Sequence, residues 1–412
     1  MRLYTFSIRL YGVLLYLASF FHTKAGKWIR GRIGVFQRLE TAMRGVKKPV
    51  VWFHVASLGE FEQARPVIEG LREKHKDDIF LLLSFFSPSG YEVRHDYAQA
   101  DFVTYLPLDT PAHAKRWLDI VQPSVAYWVK YEFWWNMLVA LQKREVPIIL
   151  FSALFRKEQF FFKPSAHQFL DVLRNFECVF VQNKESLALL KQYDFQNVEI
   201  AGDTRFDRVL ANVEHFEPLP LVEAWAGKAQ VLVAGSVWER DLAVMLPVLA
   251  QNFSDLKVIF APHEIHESIL QKIEKTFPNQ TIRYSKLLSK TLVQDKKILL
   301  IDNVGMLARL YHYGKLAYVG GAFKEGLHNI LEPAAFGVPV VFGHNYKKFP
   351  EANALIKAGG AFSIQDQPTF HAVLQKYLTH EAHRQEAGRQ AKQFIEANRG
   401  GAARILRYNT LG

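Results

Sequence analysis

Residues 50–60 read Val50-Val51-Trp52-Phe53-His54-Val55-Ala56-Ser57-Leu58-Gly59-Glu60. The first part, Val50–Ala56, is almost entirely apolar and rich in β-branched and aromatic side chains, which predicts a strand buried on both faces. Small residues and a carboxylate follow at once, as they do where a strand turns into a helix. A buried strand followed directly by a helix is typical of a parallel, doubly wound sheet.

Similar apolar runs recur along the chain in two series, and each run is followed by a turn or by a stretch with helical periodicity. The first series predicts strands at Val50–Ala56, Ile79–Phe85, Val125–Val129, Ile148–Phe151 and Val179–Val181. The second series predicts strands at Val231–Ala234, Lys257–Phe260, Ile298–Ile301, Leu316–Val319 and Val338–Phe342. Two such series predict an α/β protein with two doubly wound, Rossmann-like domains.

The order of these features divides the chain into expected segments. Residues 1–48 form a basic, apolar segment that we expect to associate with a membrane, and residues 49–213 form the first Rossmann-like domain. The proline-containing stretch 214–223 is the expected linker, and residues 224–412 form the second domain, whose last helix can pack back on the first. Ligands of doubly wound sheets bind at the carboxyl ends of the strands. We expect the two domains to face each other, with the ligand site in the cleft between them.

The positive charge of the chain is concentrated near its beginning. The formal net charge of the 412 residues is +11. Ten basic residues and one acidic residue, Glu40, precede Pro49, so this segment alone carries +9. A basic face across both domains would indicate nucleic acid, whereas a basic segment beside apolar residues favours an anionic membrane surface. We therefore expect a membrane surface as partner and no nucleic acid.

The apolar run Leu10–Phe21 is shorter than the roughly 20 residues that a helix needs to cross a bilayer. Arranged as a helix, the segment has an apolar face, which consists of Leu3, Phe6, Leu10, Val13, Leu14, Leu17 and Phe21. The opposite face consists of Arg2, Thr5, Arg9, Gly12, Tyr16 and Ser19. This pattern predicts a basic amphipathic helix at the membrane interface, and the alternative is a helix that packs on its own domain.

Two candidate sites follow strands of the first domain. In the first, Gly59 would permit a close backbone approach, and Glu60 at the start of a helix could accept a proton from a hydroxyl group. The alternative is that Glu60 only complements the helix dipole. The second is Lys130-Tyr131-Glu132-Phe133-Trp134-Trp135-Asn136, whose aromatic rings could stack on a sugar or an acyl chain, with core packing as the alternative.

A third candidate, Gly202-Asp203-Thr204-Arg205-Phe206-Asp207, lies near the end of the first domain. Arg205 can hold a phosphate or a carboxylate through two hydrogen bonds. The alternative for this arginine is an ion pair with Asp207.

The fourth candidate is the longest run, Gly320-Gly321-Ala322-Phe323-Lys324-Glu325-Gly326-Leu327-His328-Asn329-Ile330-Leu331-Glu332-Pro333-Ala334, which follows the predicted strand Leu316–Val319. Its glycines allow backbone amides to approach a phosphate. A helix that begins near Asn329 would stabilise an anion at its N-terminus. Glu332, one turn further on, can accept hydrogen bonds from the hydroxyls of a ribose.

Several common motifs are absent from the sequence. It contains no Gly-x-x-x-x-Gly-Lys-Ser/Thr loop, no Gly-x-Gly-x-x-Gly run and no Asp-x-Asp motif. These absences argue against ATP hydrolysis, a dehydrogenase and a metal-dependent sugar transferase. The histidines of residues 263–267 lack the spacing of zinc proteases, and the single cysteine, Cys178, excludes a cysteine-based zinc site. We therefore expect no metal.

Taken in order, these motifs resemble one family, the 3-deoxy-D-manno-octulosonic acid (Kdo) transferases of lipopolysaccharide assembly. The resemblance rests on Trp52–Glu60, Tyr131–Asn136, Gly202–Asp207 and Gly320–Ala335, and it covers most of the chain from about residue 50 to residue 350. It implies the GT-B fold and an inverting, metal-independent glycosyltransferase without a cofactor. The implied partners are the donor CMP-Kdo, the acceptor lipid IVA (a lipid A precursor) and the cytoplasmic face of the cell inner membrane.

The resemblance also implies roles for individual residues. Glu60 matches the family's general base, and Glu132 and Arg205 match residues thought to stabilise the transition state, although Arg205 occupies a position that is usually lysine. The segments that hold CMP are matched by Pro262, His263, Val304, Gly305, Met306, Asn329, Ile330, Leu331 and Glu332, and the phosphate loop is matched by Gly320 and Gly321. The sequence departs from the family's pattern at His263 and Leu154, which stand where arginine is usual, and at Met306, which stands where an acidic residue is usual.

Two alternatives stay open at this stage. The first is another GT-B enzyme that uses a UDP-sugar, either a transferase or an epimerase. The second is a non-catalytic protein that binds polyanions through its basic N-terminal segment. Glu60 and Arg205, each within its motif, argue against the second alternative.

Overall fold

The computed structural model describes residues 2–251, 256–287 and 295–408. The chain forms two compact units. Unit 1 comprises Met1–Arg208 and Arg399–Gly412, and unit 2 comprises Val209–Asn398.

Unit 1 is built on a parallel sheet of seven strands in the order β3-β2-β1-β4-β5-β6-β7. Its strands are β1 Val50–Val55, β2 Phe80–Phe85, β3 Phe102–Tyr105, β4 Val125–Val129, β5 Ile148–Ala153, β6 Cys178–Val181 and β7 Val198–Ile200. Its helices are α1 Arg2–Ala18, α2 Thr23–Arg32, α3 Val35–Met43, α4 Leu58–His75, α5 Pro88–Arg94, α6 Pro111–Val121, α7 Trp135–Gln142, α8 His167–Arg174, α9 Lys184–Lys191 and α10 Arg205–Glu214.

Unit 2 repeats this architecture with a second parallel sheet of seven strands, in the order β10-β11-β9-β8-β12-β13-β14. Its strands are β8 Gln230–Val237, β9 Leu256–Pro262, β10 Thr281–Arg283, β11 Ile298–Leu300, β12 Leu316–Val319, β13 Val340–Phe342 and β14 Ala361–Ser363. Its helices are α11 Pro220–Ala226, α12 Glu239–Leu249, α13 Glu267–Thr276, α14 Leu307–Leu310, α15 Leu331–Ala335, α16 Pro350–Lys357, α17 Gln367–Thr379 and α18 Glu381–Ala397. The two sheets confirm the prediction of an α/β protein with two doubly wound domains.

The first sheet is buried on both faces, as the apolar character of its strands predicts. Trp52 of β1 packs on one face with Trp117 and Trp128, whereas Phe53, the next residue, packs on the other face against Tyr127. Successive side chains of a strand point to opposite faces, so a strand between two layers of helices needs apolar residues at nearly every position.

The predicted strands correspond to the central strands of both sheets, with ends that differ by up to three residues. Four strands were not predicted, and each lies at an edge of its sheet: β3, β7, β10 and β14. An edge strand has a neighbour on one side only and is less covered. Every residue of β10, for example, is only partly buried. Such short strands lack the long apolar run by which a central strand is recognised.

The boundary between the units differs from the expected linker, residues 214–223. The division falls at Val209, within α10, and unit 2 includes the expected linker. Phe216 stacks on His312 with ring centroids 4.0 Å apart, and the Leu219 N–H donates to the Tyr313 hydroxyl at 2.7 Å. Aromatic contacts therefore hold this proline-containing stretch against unit 2.

The last helix, α19 Gly401–Arg407, belongs to unit 1. Ile405 is fully buried in the core of unit 1. The Asp207 carboxylate accepts hydrogen bonds from the N–H groups of Gly400 at 2.6 Å and Ala402 at 3.0 Å. This carboxylate therefore caps the N-terminus of α19, where unpaired backbone donors favour a negative charge.

Helix α1 turns its apolar face away from unit 1. The seven apolar residues predicted to share a face are between 49% and 85% exposed. The face that packs on the unit contains the buried Ile8, the Tyr4 hydroxyl, which donates to Asp109 at 2.7 Å, and the Thr5 hydroxyl, which donates to Asn136 at 3.0 Å. It differs from the predicted polar face, of which Arg2, Arg9 and Tyr16 are exposed. Among the described residues, no single helix is long and apolar enough to cross a bilayer, and only α1 and α2 together, bent by 118°, meet that requirement.

Candidate active site

Glu60 lies at the carboxyl edge of the first sheet, in the first turn of α4 directly after β1. Its side chain is buried, and Oε2 accepts a hydrogen bond of 2.5 Å from the Ala56 N–H, which precedes the helix. No described group donates to its other oxygen, Oε1. One oxygen is therefore fixed by the backbone, and the other is available as a proton acceptor.

Gly59 does not have the role that its sequence position suggested. It is an ordinary helical residue of α4, and a Cβ at this position would have no heavy atom nearer than the Ser57 Oγ at 4.0 Å. The turn from β1 into α4 is made by Ser57 in an extended conformation, so no glycine is required there.

A second carboxylate, Glu132, follows β4, the neighbour of β1 in the sheet. Burial raises the pKa of Glu60 above its usual value, and the negative charge of Glu132 raises this pKa further. The Ala56 N–H and the Lys130 ammonium act in the opposite direction. Burial also raises the pKa of Glu132. Two carboxyl groups that share a poorly solvated site hold protons more tightly, so Glu60 is a stronger base than a surface glutamate.

Arg205 is held by Asp203 rather than by Asp207. The Asp203 Oδ2 accepts hydrogen bonds from Arg205 Nε at 2.9 Å and Nη2 at 2.7 Å. Burial alone would raise the pKa of Asp203. The charge of Arg205, its hydrogen bonds to Asp203 and a hydrogen bond from Gln63 together bring this pKa below its usual value. The alternative expected from the sequence, a pair with Asp207, is wrong because Asp207 caps α19.

Tyr131 connects these groups. Burial raises the pKa of the Tyr131 phenol, the charges of Glu60 and Glu132 raise it further, and the charges of Arg156 and Arg205 lower it. All four charges therefore act on the Tyr131 phenol, and three of them belong to the predicted catalytic residues of this domain, Glu60, Glu132 and Arg205.

His54 connects β1 with residues beside this carboxyl edge. Its Nδ1 lies 2.9 Å from the Ser84 hydroxyl, and its Nε2 accepts a hydrogen bond of 3.0 Å from the Trp134 indole. Burial lowers the pKa of His54 to about 3, so the ring is neutral at physiological pH. The histidine thereby fixes Trp134, two residues after Glu132.

Strained backbone occurs near the carboxyl ends of strands in both sheets. Lys130 after β4 and Ser152 within β5 adopt positive φ angles of 58° and 50°, and Ser236 of β8 in unit 2 has a φ of 51°. Non-glycine residues in this region cost about 1–3 kcal/mol each and cluster at functional sites. The sequence contains no signal for this strain, because none of the three residues is a glycine.

The charges around Glu60 predict opposite shifts in the pH dependence of kcat/KM for two variants. A base must be deprotonated, so kcat/KM falls as the pH drops through the pKa of Glu60. Glu132→Gln removes a negative neighbour and lowers this pKa, so the acid limb should move to lower pH, by about one unit. Lys130→Gln removes a positive neighbour and should move the limb to higher pH. Shifts in the same direction would contradict this electrostatic account.

The carboxyl edge of the second sheet is organised by Asp241 of α12, which is fully buried. Its carboxylate accepts hydrogen bonds from the Tyr318 hydroxyl at 2.6 Å, the Trp238 N–H at 2.8 Å and the Gly321 N–H at 3.0 Å. These three donors come from β12, from the turn after β8 and from the glycine run. Asp241 therefore fixes the start of the Gly320–Gly321 loop, and sequence inspection missed it.

Both glycines of this loop are required by the packing. A Cβ at Gly320 would lie 2.2 Å from the Ser236 carbonyl oxygen. Gly321 has a φ of 92°, and a Cβ there would lie 2.2 Å from the Gly326 carbonyl oxygen. The loop folds back on itself, with the Gly326 N–H donating to Gly321 O at 2.9 Å.

We expect Gly321→Ala to destabilise unit 2 by more than the strain of a positive φ angle alone. Gly227 also has a positive φ, 56°, but no atom lies within 4 Å of a Cβ there. Gly227→Ala should lower the free energy of unfolding by about 1 kcal/mol, and Gly321→Ala by about 3 kcal/mol or more, since overlap adds to strain. Urea unfolding of both variants measures the difference, and equal losses would refute the proposed overlap.

His263 and His328 form a stack with Trp238. The His263 ring lies 4.6 Å from the Trp238 ring and 4.2 Å from the His328 ring, and the Trp238 indole donates to His328 Nε2 at 2.9 Å. Burial and, to a smaller extent, the neighbouring His263 lower the pKa of His328 to about 4, and burial also lowers the pKa of His263. Neither Trp238 nor a role for His328 was identified from the sequence.

The other predicted nucleotide residues lie in separate loops of unit 2. Pro262 ends β9, and Val304, Gly305 and Met306 follow β11; Val304 is 85% exposed, whereas Met306 is buried. Helix α15 begins at Leu331, two residues after Asn329, as predicted, and has five residues. The Asn329 side chain donates to Glu332 at 3.0 Å and accepts from the Leu331 N–H at 3.2 Å, so it caps a helix whose dipole is small. Ile330 is buried beside them.

Among residues 2–251, 256–287 and 295–408, no group of three or more histidine, cysteine, aspartate or glutamate side chains is arranged to hold a metal ion. The first edge offers two carboxylates and an arginine, and the second edge offers a glycine loop and stacked rings.

Residues 29–208 match the family described as 3-Deoxy-D-manno-octulosonic-acid transferase (kdotransferase). The chain is 27% identical over 344 residues to the 3-deoxy-D-manno-octulosonic acid transferase of Aquifex aeolicus, covering 81% of this chain and 87% of that protein. It is 24% identical over 379 residues to the Haemophilus influenzae protein of the same name, covering 86% and 85% of the two chains.

A solved structure of UDP-GlcNAc 2-epimerase from Neisseria meningitidis bound to UDP-GlcNAc superimposes with a TM-score of 0.62 at 12% identity, over 88% of this chain and 99% of that one. This likeness concerns the fold alone. The sequence relatives match more than four-fifths of this chain, which is more than either unit alone. Residues 29–208 therefore carry the 3-deoxy-D-manno-octulosonic acid transferase domain, and the chain as a whole is similar to the transferases of that name.

Proposed function

We propose that this protein transfers Kdo from CMP-Kdo to lipid IVA by a single in-line displacement that inverts the anomeric centre. The observation that carries the proposal is the buried Glu60, which is held through one oxygen by the Ala56 N–H and has a raised pKa. A carboxylate of this kind is suited to remove the proton from a sugar hydroxyl.

In the proposed step, Glu60 takes the hydroxyl proton of the acceptor as the hydroxyl oxygen forms a bond to the anomeric carbon of Kdo. The bond from this carbon to the phosphate oxygen breaks, and CMP leaves. Arg205, which Asp203 holds through two hydrogen bonds, would stabilise the developing negative charge without reorientation. One base on one face of the sugar predicts inversion, whereas retention requires a nucleophilic carboxylate.

The donor nucleotide is assigned to unit 2 in this proposal. The folded Gly320–Gly321 loop offers backbone groups at the carboxyl edge of the sheet, and the rings of His263, His328 and Trp238 lie at the same edge. Pro262, Val304 to Met306 and Asn329 to Glu332 are the remaining candidates for contacts with CMP. The step needs no metal, since arginine and backbone donors can stabilise a phosphate leaving group.

The proposed place of action is the cytoplasmic face of the inner membrane. The exposed apolar face of α1 and the +9 charge of residues 1–48 suit adsorption to an anionic surface. A lipid acceptor stays in the bilayer, so an enzyme that modifies it has to bind the same surface.

The test of the proposed function is incubation of the full chain with CMP-Kdo and lipid IVA, followed by mass spectrometry of the lipid. We expect the mass of lipid IVA to rise by that of one or more Kdo residues. A lipid of unchanged mass, with active substrates and folded protein, would refute the proposal. The rival, a UDP-sugar enzyme, predicts that UDP rather than CMP raises the melting temperature.

A further inference from the structure

We propose that a groove on unit 1 binds one acyl chain of the lipid acceptor, with a phosphate of that lipid at the arginine-lined rim; this inference rests on the proposed function. The groove lies between α1, α2, α3 and the loop after β3, and its volume is about 720 Å³. Its lining is mostly apolar and includes Val13, Trp28, Ile29, Val35 and Leu108.

The groove is a built feature of the fold. Gly12 of α1 lies so close to the loop after β3 that a Cβ would be 2.7 Å from the Leu108 Cδ2. Trp28 forms a wall from α2 and packs edge-on against Phe86 at 5.6 Å. The volume is in the range of sites that enclose a small molecule, about 300–1,000 Å³. An apolar groove of this size suits a single hydrocarbon chain.

Cationic side chains line the same groove. Arg9 and Arg116 belong to its lining, and Arg116 is paired with Glu40 at 2.9 Å. Arg32 lies over the Trp28 ring at 3.5 Å, and its guanidinium donates to the carbonyl oxygens of Leu106 and Phe86. Within the part of the chain that the structure describes, neither Arg9 nor Arg32 has a carboxylate partner. A guanidinium without a counter-ion in an apolar site favours an anionic ligand.

The wall of the groove also contains a buried polar group. Trp28 is 7% exposed, and its indole Nε1–H finds no hydrogen-bond acceptor among the described residues. A buried donor without an acceptor is unfavourable by about 1–3 kcal/mol. The N–H is shielded from solvent, so it is an unsatisfied donor in the wall of the groove and not by itself a contact for the lipid.

The position of the groove favours the acceptor over a phospholipid of the bilayer. Val13 belongs both to the groove and to the exposed apolar face of α1. Arg32 also reaches the carbonyl of Phe86, whose ring stacks on Trp134 at 4.2 Å, two residues after Glu132. The rings of Phe86 and Trp134 therefore lie between the groove and the carboxyl edge of the first sheet. A lipid whose sugar must reach Glu60 needs that proximity, and a bulk phospholipid does not.

The direct test is photocrosslinking with the full chain. The photoreactive residue p-benzoylphenylalanine replaces Ile29, which lines the groove, or Ile33, which is 67% exposed at the end of the same helix. The proteins are irradiated on vesicles of phosphatidylcholine and phosphatidylglycerol that contain lipid IVA. We expect an adduct with the mass of lipid IVA at position 29 and none at position 33. A phospholipid adduct alone, equal adducts at both positions, or no adduct at position 29 would overturn the inference.

Kinetics give an independent test. Ile29→Trp fills the groove and should raise KM for lipid IVA about tenfold, whereas Ile33→Trp should leave KM unchanged. Arg9→Gln should also raise KM, whereas Arg2→Gln, which removes the same charge from the same helix outside the groove, should not. Unchanged KM in both groove variants would overturn the inference. Crosslinking needs no transfer, so lipid IVA adducts on a chain that transfers no Kdo would sink the proposed function and leave the groove assignment intact.

Discussion

Glu60→Gln should lower kcat for Kdo transfer by about 10²–10⁴-fold, because general-base catalysis contributes a factor of this size. Glutamine keeps the size of the side chain, and its amide oxygen can still accept the hydrogen bond from the Ala56 N–H. The variant should therefore fold normally and lose only the ability to accept a proton. Rates with saturating CMP-Kdo and lipid IVA measure the loss directly.

Two controls make this result specific. Glu73→Gln changes an exposed glutamate of the same helix and should leave kcat within twofold of the wild type. CMP should raise the melting temperature of Glu60→Gln as much as that of the wild type, since the nucleotide is assigned to unit 2. If Glu60→Gln turns over within a few-fold of the wild-type rate, Glu60 is not the base.

Replacement of Leu10, Leu14 and Leu17 by glutamine should weaken binding to anionic vesicles by about 100-fold or more. The three side chains are roughly half exposed on the apolar face of α1. Insertion of each into the membrane interface contributes about 1 kcal/mol or more, and each 1.4 kcal/mol is a factor of ten in affinity. Sedimentation with vesicles that contain phosphatidylglycerol measures the change.

This substitution is cleaner than removal of the helix. Deletion of residues 1–22 would also take away the Tyr4 hydroxyl from the buried Asp109 and would uncover the surface beneath α1. The control is a variant with three exposed apolar residues outside the helix, Val93, Leu221 and Ile265, replaced by glutamine. Equal losses in the two triple variants would show that α1 is not the membrane-binding element.

The sequence predicted the central strands of both sheets because such strands are covered on two faces and are apolar throughout. The edge strands β3, β7, β10 and β14 escaped because they are short and partly exposed. The amphipathic pattern of the N-terminal segment predicted an apolar face, and the residues named for it are exposed. It could not decide whether that face is covered, because an apolar stripe suits a protein core and a membrane equally.

The candidate site was predicted in part. Glu60, Glu132 and Arg205 were predicted from their motifs, and the charges of all three act on the Tyr131 phenol, while their catalytic roles stay a prediction. The partner of Arg205 could not be read from the sequence, since Asp203 and Asp207 are each two residues away, and only the fold shows that Asp207 caps α19. Asp241 and Trp238 escaped because they lie far along the chain from the glycine loop that they support.

The return of α19 to unit 1 has a consequence for biosynthesis. Ile405 and Ala402 fill part of the core of unit 1, beside strands that are translated near the start of the chain. A ribosome adds about 5–20 residues per second, so these strands wait on the order of ten seconds or more for all of unit 2 to emerge. During this interval the nascent first unit exposes an apolar seam that chaperones can bind.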